Sequence, residues 1–193
     1  MMRADRLDAD RAMVLVIDIQ EKLLPFIRRK EQMLEAAKKL LDGARVFGLP
    51  VVATEQYPKG IGPTVPLIKR CLEANGAGVY EKVTFSSCGV EPFRAALREI
   101  DRPQVLMTGI ESHVCVQQTA LDLLSMDYQV FVCADAVGSR GRVDYERALL
   151  RMQHAGAAIT TVESALFELC ERSGTDRFRG LLEVIKSSAP PAD

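Results

Sequence analysis

The chain reads as a three-layer α/β/α protein, a single Rossmann-like domain around a mostly parallel six-stranded sheet, and three observations carry that reading. Short apolar runs alternate with longer segments of helical periodicity from Ala12 to Ile185. Alternation at this spacing builds right-handed βαβ units, which give parallel strands covered by helices on both faces. Two of the runs, around Val14 and Val105, are continuously apolar, as strands buried on both faces are. No internal repeat or linker divides the sequence, and 193 residues, 48% of them hydrophobic, suffice for one substantial core spanning residues 1–193.

The elements follow in order. Ala12 to Gln20 reads as a central strand, interrupted by Asp18. Lys22 to Ile27 is a loop containing Pro25, and Lys30 to Phe47 a helix with Met33, Leu34, Ala37, Leu40, Leu41 and Ala44 on one face. Gly48-Leu-Pro50 stops it. Leu49 to Thr54 is the second strand, and Glu55 to Thr64, rich in Gly and Pro, is a long loop at its carboxyl end, where loops line sites. A short helix, Val65 to Glu73, leads through Asn75-Gly76 to a strand from Gly78 that carries Lys82. Glu91 to Glu99 is helical, with Pro92 tolerated in the first turn. Val105 to Met107 is a buried strand, Gly109 a tight break, and Ser112 an N-cap for the helix bearing Cys115. Gln129 to Cys133 is the fifth strand, Val143 to Ala155 a helix and Ala157 to Thr161 the sixth strand. Glu163 to Cys170 and Phe178 to Lys186 close the fold as helices, and Ser187 to Asp193 reads as a disordered tail.

Composition narrows the function. A formal net charge of -1 supplies no positive field for phosphates, and Arg28-Arg-Lys30 and Lys38-Lys39 fall on solvated helix faces, so no nucleic-acid partner is expected. Five cysteines without paired spacing suit a reducing compartment. The first residues contain no apolar run of signal-peptide length and no later stretch is long enough to span a bilayer, so the expected location is cytoplasmic, with no membrane partner.

Three polar residues end three different strands. Asp18 places a carboxylate at the carboxyl end of an apolar strand, where open parallel sheets bind ligands. Cys115 falls in the first turn of a helix that follows another such strand. Unpaired N–H groups and the helix dipole there favour a thiolate and can hold the oxygen of a carbonyl under attack. Lys82 ends a third strand. Each has a plain alternative: a turn-capping carboxylate, a small apolar residue packing helix on sheet, a solvated lysine. Together they supply a nucleophile, a proton acceptor and a cation to balance it, which is what amide hydrolysis by a thiol needs.

Val16-Ile-Asp18-Ile-Gln20, Glu81-Lys82-Val-Thr-Phe-Ser and Gly109-Ile-Glu-Ser-His-Val-Cys115, in this order, resemble the motifs of the isochorismatase-like cysteine hydrolases over nearly the whole chain. Thr54-Glu-Gln-Tyr-Pro-Lys-Gly-Ile-Gly-Pro-Thr-Val-Pro66, Thr119-Ala-Leu-Asp-Leu-Leu124 and Asp135-Ala-Val-Gly-Ser-Arg140 are similar to the subgroup of isochorismatase domain-containing proteins. The resemblance makes Cys115 the nucleophile, Asp18 the general base and Lys82 its electrostatic partner. It also implies a cis peptide between Ile110 and Glu111, turning the Glu111 N–H toward that of Cys115 to form an oxyanion hole. The expected reaction is hydrolysis of a C–N bond in a small amide or ureido compound through a thioester, and the expected assembly a homo-oligomer.

Departures from the family pattern sharpen this. Nicotinamidases of the superfamily carry a metal on an Asp-x-His-Pro stretch, where this chain has Glu55-Gln-Tyr57-Pro. Tyrosine does not replace an imidazole ligand for zinc, and the two histidines, His113 and His154, lack ligand spacing, so neither metal nor cofactor is expected. Retention of Cys115 favours carbonyl attack over the vinyl-ether hydrolysis of isochorismate. Gln20, Tyr57, Phe85 and Ile110 are candidate pocket residues, Gln20 either to orient substrate or water or to form a turn. His113 either lines the pocket or faces away from it. A redox-responsive thiol pairing Cys115 with Cys88, or an assembly protein without catalysis, are the other classes. Dinucleotide binding is disfavoured because Gln20-Glu-Lys-Leu-Leu-Pro25 offers a pyrophosphate no glycine.

Overall fold

Six strands, β1 (Ala12–Ile17), β2 (Val51–Gln56), β3 (Gly78–Lys82), β4 (Gln104–Ile110), β5 (Gln129–Gly138) and β6 (Ala158–Thr160), form one sheet in the order β3-β2-β1-β4-β5-β6. Every pairing is parallel, more uniform than the mostly parallel sheet predicted. The computed structural model describes residues 6–187. Of the expected disordered tail, 188–193 lie outside the described residues, while Ser187 ends a helix.

Among the described residues, eight helices cover the sheet: α1 (Lys30–Phe47), α2 (Pro58–Ile61), α3 (Pro66–Ala74), α4 (Glu91–Ile100), α5 (Gln117–Ser125), α6 (Arg142–His154), α7 (Val162–Cys170) and α8 (Asp176–Ser187). The period of two along each strand divides the core. Val14, Val16, Leu106 and Phe131 face Leu40, Ile68, Leu166 and Leu181 of α1, α3, α7 and α8. Met13, Leu15, Val105, Met107 and Val132 face Phe93, Leu123 and Met152 of α4, α5 and α6. The first and fourth strands therefore carry no polar side of their own, which is why they read as unbroken apolar runs.

Chain order fixes where a site can form. From β1 the chain winds outward through β2 to β3, then crosses back so that β4 lies on the other side of β1. The crevice beyond the carboxyl ends of β1 and β4 is the switch point at which doubly wound sheets bind ligands.

Local departures from the predicted elements have physical reasons. The long loop after β2 starts later, at Tyr57, and holds the single turn α2. β5 runs on to Gly138 because its pairing with β4 resumes, after a register shift, at Gly109↔Val137 and Ile110↔Gly138. Thr108 Oγ1 donates to the Ala136 carbonyl beside the shift. Ser112 does not cap the cysteine helix. Glu111 occupies the cap position without a capping side chain, and the helix opens as a π-helical turn, Ser112–Val116, before α5. The wider turn replaces the geometry in which a Ser112 cap would form, and its Oγ is left buried without a hydrogen-bond partner.

Candidate active site

The first strand ends at Ile17, and Asp18 turns away from it in the left-handed region, with φ 52°. Aspartate tolerates this conformation better than most residues. Its N–H donates to the Thr54 carbonyl at 3.1 Å, keeping it in register with β2. On the other side, Ile17 pairs with Gly109, whose φ is +136°. A Cβ on Gly109 would lie 2.1 Å from the Ile17 carbonyl oxygen, so only glycine lets β4 pass β1 this closely. Two residues on, the Ile110–Glu111 peptide is cis, and the π-helical turn then carries Cys115.

Lys82 ends β3, two strands away from β1, and reaches across the end of β2. Its ammonium lies 2.6 Å from Asp18 Oδ2, and both side chains are fully buried. Gln56 Oε1 accepts from it at 2.7 Å, and the carbonyls of Phe85 and Thr84 at 3.0 and 3.3 Å. Asp18 Oδ1 accepts from Thr54 Oγ1 at 2.8 Å. Thr54 and Gln56 stand two apart on β2 and so share a face. The intervening strand gives one side chain to the acid and one to the cation.

Cys115 is buried, and its thiol interacts with both Asp18 and Lys82. Burial, followed by the Asp18 charge, pushes the thiol up to about 12 against the opposing pull of Lys82. Desolvation of a sulfur enclosed by packed side chains, beside a carboxylate, thus works against the helix start and the lysine, both of which favour the thiolate.

Glu111 is tied down from outside. Arg140 Nε donates to both carboxylate oxygens at 3.1 Å, Nη2 to Oε1 at 2.6 Å, and the Arg140 N–H to Oε2 at 2.9 Å. Burial raises the Glu111 carboxyl, but the hydrogen bonds and charge of Arg140 bring it below the usual carboxylate range.

The remaining predicted pocket residues separate into two groups. Tyr57 and Phe85 are exposed on loops beyond β2 and β3, and the Phe85 carbonyl touches Lys82. Gln20 and Ile110 are fully buried instead. The Gln20 amide is committed at both ends, accepting from Gln56 N–H at 2.7 Å and donating to the carbonyls of Gln56 and Gly62 at 3.0 and 2.6 Å. It clamps the chain that positions Gln56, and it offers no free group to a substrate. Ile110 packs in the core on the α1 side of the sheet, opposite the cluster that holds Cys115. His113 Nδ1 is 3.1 Å from Ser139 Oγ. Cys88 is a buried free thiol, pushed up to about 11 chiefly by burial. Thr54, Gln56 and Arg140 were not among the predicted residues; only the pairing of β2 between β1 and β3, and the return of β5 beside Glu111, gives them partners.

A groove of about 1060 Å³ runs between α1, the end of β5 and α6, past Met33, Asp135, Ser139 and Tyr145. None of Asp18, Lys82 or Cys115 lines it. Among the described residues, no group of three or more His, Cys, Asp or Glu side chains is arranged to hold a metal ion, and no helix is long and apolar enough to cross a membrane.

Comparison with known proteins agrees with the architecture. The family profile described as the isochorismatase domain matches residues 12–164. Isochorismatase domain-containing protein 1 of Danio rerio is 41% identical over 175 residues, covering 90% of this chain and 60% of that protein. The chain thus spans about 60% of the length of that relative. Among solved structures, MAR1 ribonuclease from Caenorhabditis elegans is similar with a TM-score of 0.90 and 36% identity, over 97% of this chain and 95% of that one. YcaC from Pseudomonas aeruginosa, determined with hexane-2,5-diol and covalent acrylamide, has a TM-score of 0.88 and 28% identity, over 95% and 93%. YcaC from Escherichia coli, described as an octameric hydrolase of unknown specificity, has a TM-score of 0.89 and 27% identity, over 96% and 91%.

Proposed function

The chain belongs to the isochorismatase family, its residues 12–164 matching the domain, and from that premise we propose that it is a cysteine-dependent hydrolase of a C–N bond in a small amide or ureido compound. One observation carries the reading. A buried carboxylate and ammonium 2.6 Å apart meet the Cys115 thiol at the switch point of the sheet.

Burial disfavours the thiolate, so in this reading proton removal accompanies attack. Asp18 takes the proton of Cys115 as the sulfur bonds to the substrate carbonyl carbon, and the oxygen becomes an oxyanion held by the N–H groups of Glu111 and Cys115. Protonated Asp18 gives that proton to the nitrogen, the C–N bond breaks, and ammonia or an amine leaves a thioester on the sulfur. A water then attacks the thioester, passing a proton through Asp18 to the departing sulfur, which yields the acid and restores the thiol. Lys82 balances the carboxylate charge at rest and as the proton moves. Tyr57 and Phe85 border the entrance. No step calls for a cofactor, and assembly into a homo-oligomer is supported by the octameric YcaC relative.

Screening small amides and ureido compounds for ammonia release, with wild type beside Cys115→Ala, tests this. Release that requires Cys115 supports the proposal. Release undiminished in Cys115→Ala removes the thioester from the reaction and overturns the proposal. A thiol held near 12 also argues against a redox sensor, which needs thiolate character. The ribonuclease name of the worm relative ranks below amide hydrolysis here, because a net charge of -1 gives this chain no phosphate-attracting field.

A further inference from the structure

The two oxygens of Asp18 have different neighbours. Oδ1 accepts from Thr54 Oγ1 at 2.8 Å. Oδ2 lies 2.6 Å from Lys82 Nζ and receives no other hydrogen bond among the described residues. Behind Thr54 a chain of buried hydroxyls continues. Ser87 Oγ is 3.5 Å from Thr54 Oγ1, and Thr119 Oγ1 is 3.3 Å from Ser87 Oγ. Thr119 Oγ1 accepts from the Ser87 N–H at 2.9 Å and donates to the carbonyl of Cys115 at 2.7 Å. Thr54, Ser87 and Thr119 are all shielded from water, with exposures of 2%, 0% and 0%.

Each hydroxyl has one proton to give, and the short contact commits that of Thr54 to Oδ1. We propose that Thr54 is a positioning residue for the thiol proton transfer. It occupies Asp18 Oδ1, so that the Cys115 proton passes to Oδ2 alone, while Ser87 and Thr119 tether it to the turn that carries the sulfur. The bond survives the transfer, because Oδ1 of the resulting carboxylic acid remains an acceptor. This inference rests on the hydrolase reading and adds to it the oxygen that acts and the residue that selects it.

Removing the hydroxyl takes from the carboxylate a hydrogen bond that favours its charged form, so the acidic end of a labelling profile should respond to it. Acrylamide, a small amide that adds a thiol across its C=C bond, reads this without knowledge of the substrate. Sulfur bonds to the terminal carbon, and the thiol proton ends on the inner carbon. Labelling of the Cys115 peptide is followed by mass spectrometry from pH 4 to 9 in wild type, Thr54→Val, Thr54→Ser and Asp18→Asn.

The expected wild-type profile has an acidic limb that requires the Asp18 carboxylate, followed by a plateau. Asp18→Asn loses the limb and rises with pH as an ordinary thiol does. Thr54→Val keeps the limb but moves it to higher pH, and Thr54→Ser returns it to the wild-type position. A limb unmoved in Thr54→Val but absent in Asp18→Asn overturns the role of Thr54 and leaves the base intact. A wild-type profile without any limb overturns the base assignment, and the Thr54 proposal with it. Should Thr54→Val not fold, the smaller Thr54→Ala carries the same prediction.

Discussion

Lys82 Nζ and Asp18 Oδ2 stand 2.6 Å apart with both side chains wholly out of water, yet their remaining partners are unequal. The ammonium keeps three oxygen neighbours, from Gln56, Thr84 and Phe85, when the carboxylate is taken away. The carboxylate keeps the Thr54 hydroxyl and the Cys115 thiol when the ammonium is removed, and no cation. Breaking a buried pair from one side costs about 3 to 5 kcal/mol, because the charge left behind is uncompensated. Lys82→Met is therefore expected near the top of that range and Asp18→Asn below it, measured as urea midpoints. Hydrolysis should fall by at least about 100-fold in both. Equal destabilisation would mean that the neighbours of Lys82 contribute little.

Gly109→Ala should be among the most damaging single-methyl changes in the protein. The added Cβ would sit 2.1 Å from a backbone oxygen of the central strand, at a φ of +136° that side chains avoid. Neither the strand nor its carbonyl has room to yield, and a loss of at least about 3 kcal/mol follows. Gly48→Ala is the control. Gly48 is also left-handed, at φ +67°, but its Cβ would meet nothing within 4 Å, so a penalty of only about 1 kcal/mol is expected. Thermal melts of the two variants separate the effect of close approach from that of backbone conformation.

The contrast between Gly109 and Thr54 shows what the sequence could convey. Apolar runs and helical periodicity are local, and α1 was legible to the residue because its buried stripe and Gly48 stop signal lie within one segment. Asp18, Lys82 and Cys115 were legible as strand-end polar residues recurring in a recognised order. Thr54 and Gln56 carry no such mark, because their roles depend on β2 lying between β1 and β3, a long-range property. Gln20 is the same case: its position beside Asp18 fits a substrate-orienting amide and a turn-forming one alike, and its partners sit 36 and 42 residues away. Desolvation of the Cys115 thiol is long-range in the same way, whereas the helix position that favours its thiolate is local.

Alkaline pH should reveal that thiol state. Burial holds Cys115 up to about 12 and Cys88 up to about 11, whereas an unfolded cysteine ionises near about 8.5. Raised folded values mean that the stabilisation is fully present below the unfolded value and is lost as pH climbs through the folded ones. Wild type should lose more stability than Cys115→Ala between about pH 8.5 and 11. Denaturant titrations at those two values check it. Parallel curves would indicate a sulfur already ionised in the native state.

Arg140 gives the last test, because it grips the Glu111 carboxylate through four hydrogen bonds. Its guanidinium and N–H together saturate the carboxylate next to the proposed oxyanion donor, and a lysine has no planar fork with which to do the same. Arg140→Lys and Arg140→Met should lower kcat about tenfold with little change in KM, since the oxyanion forms only in the transition state. The carboxyl of Glu111 lies below its usual value because of Arg140, so its contribution to stability is present above about pH 4.3 and lost as pH falls through the folded value. Melting points taken at pH 6 and pH 3 should therefore diverge less in Arg140→Met than in wild type. The guanidinium is 65% exposed, so both effects should shrink in high salt. Unchanged kcat in both variants would detach Glu111 from the chemistry and leave the Arg140 pair as a surface brace.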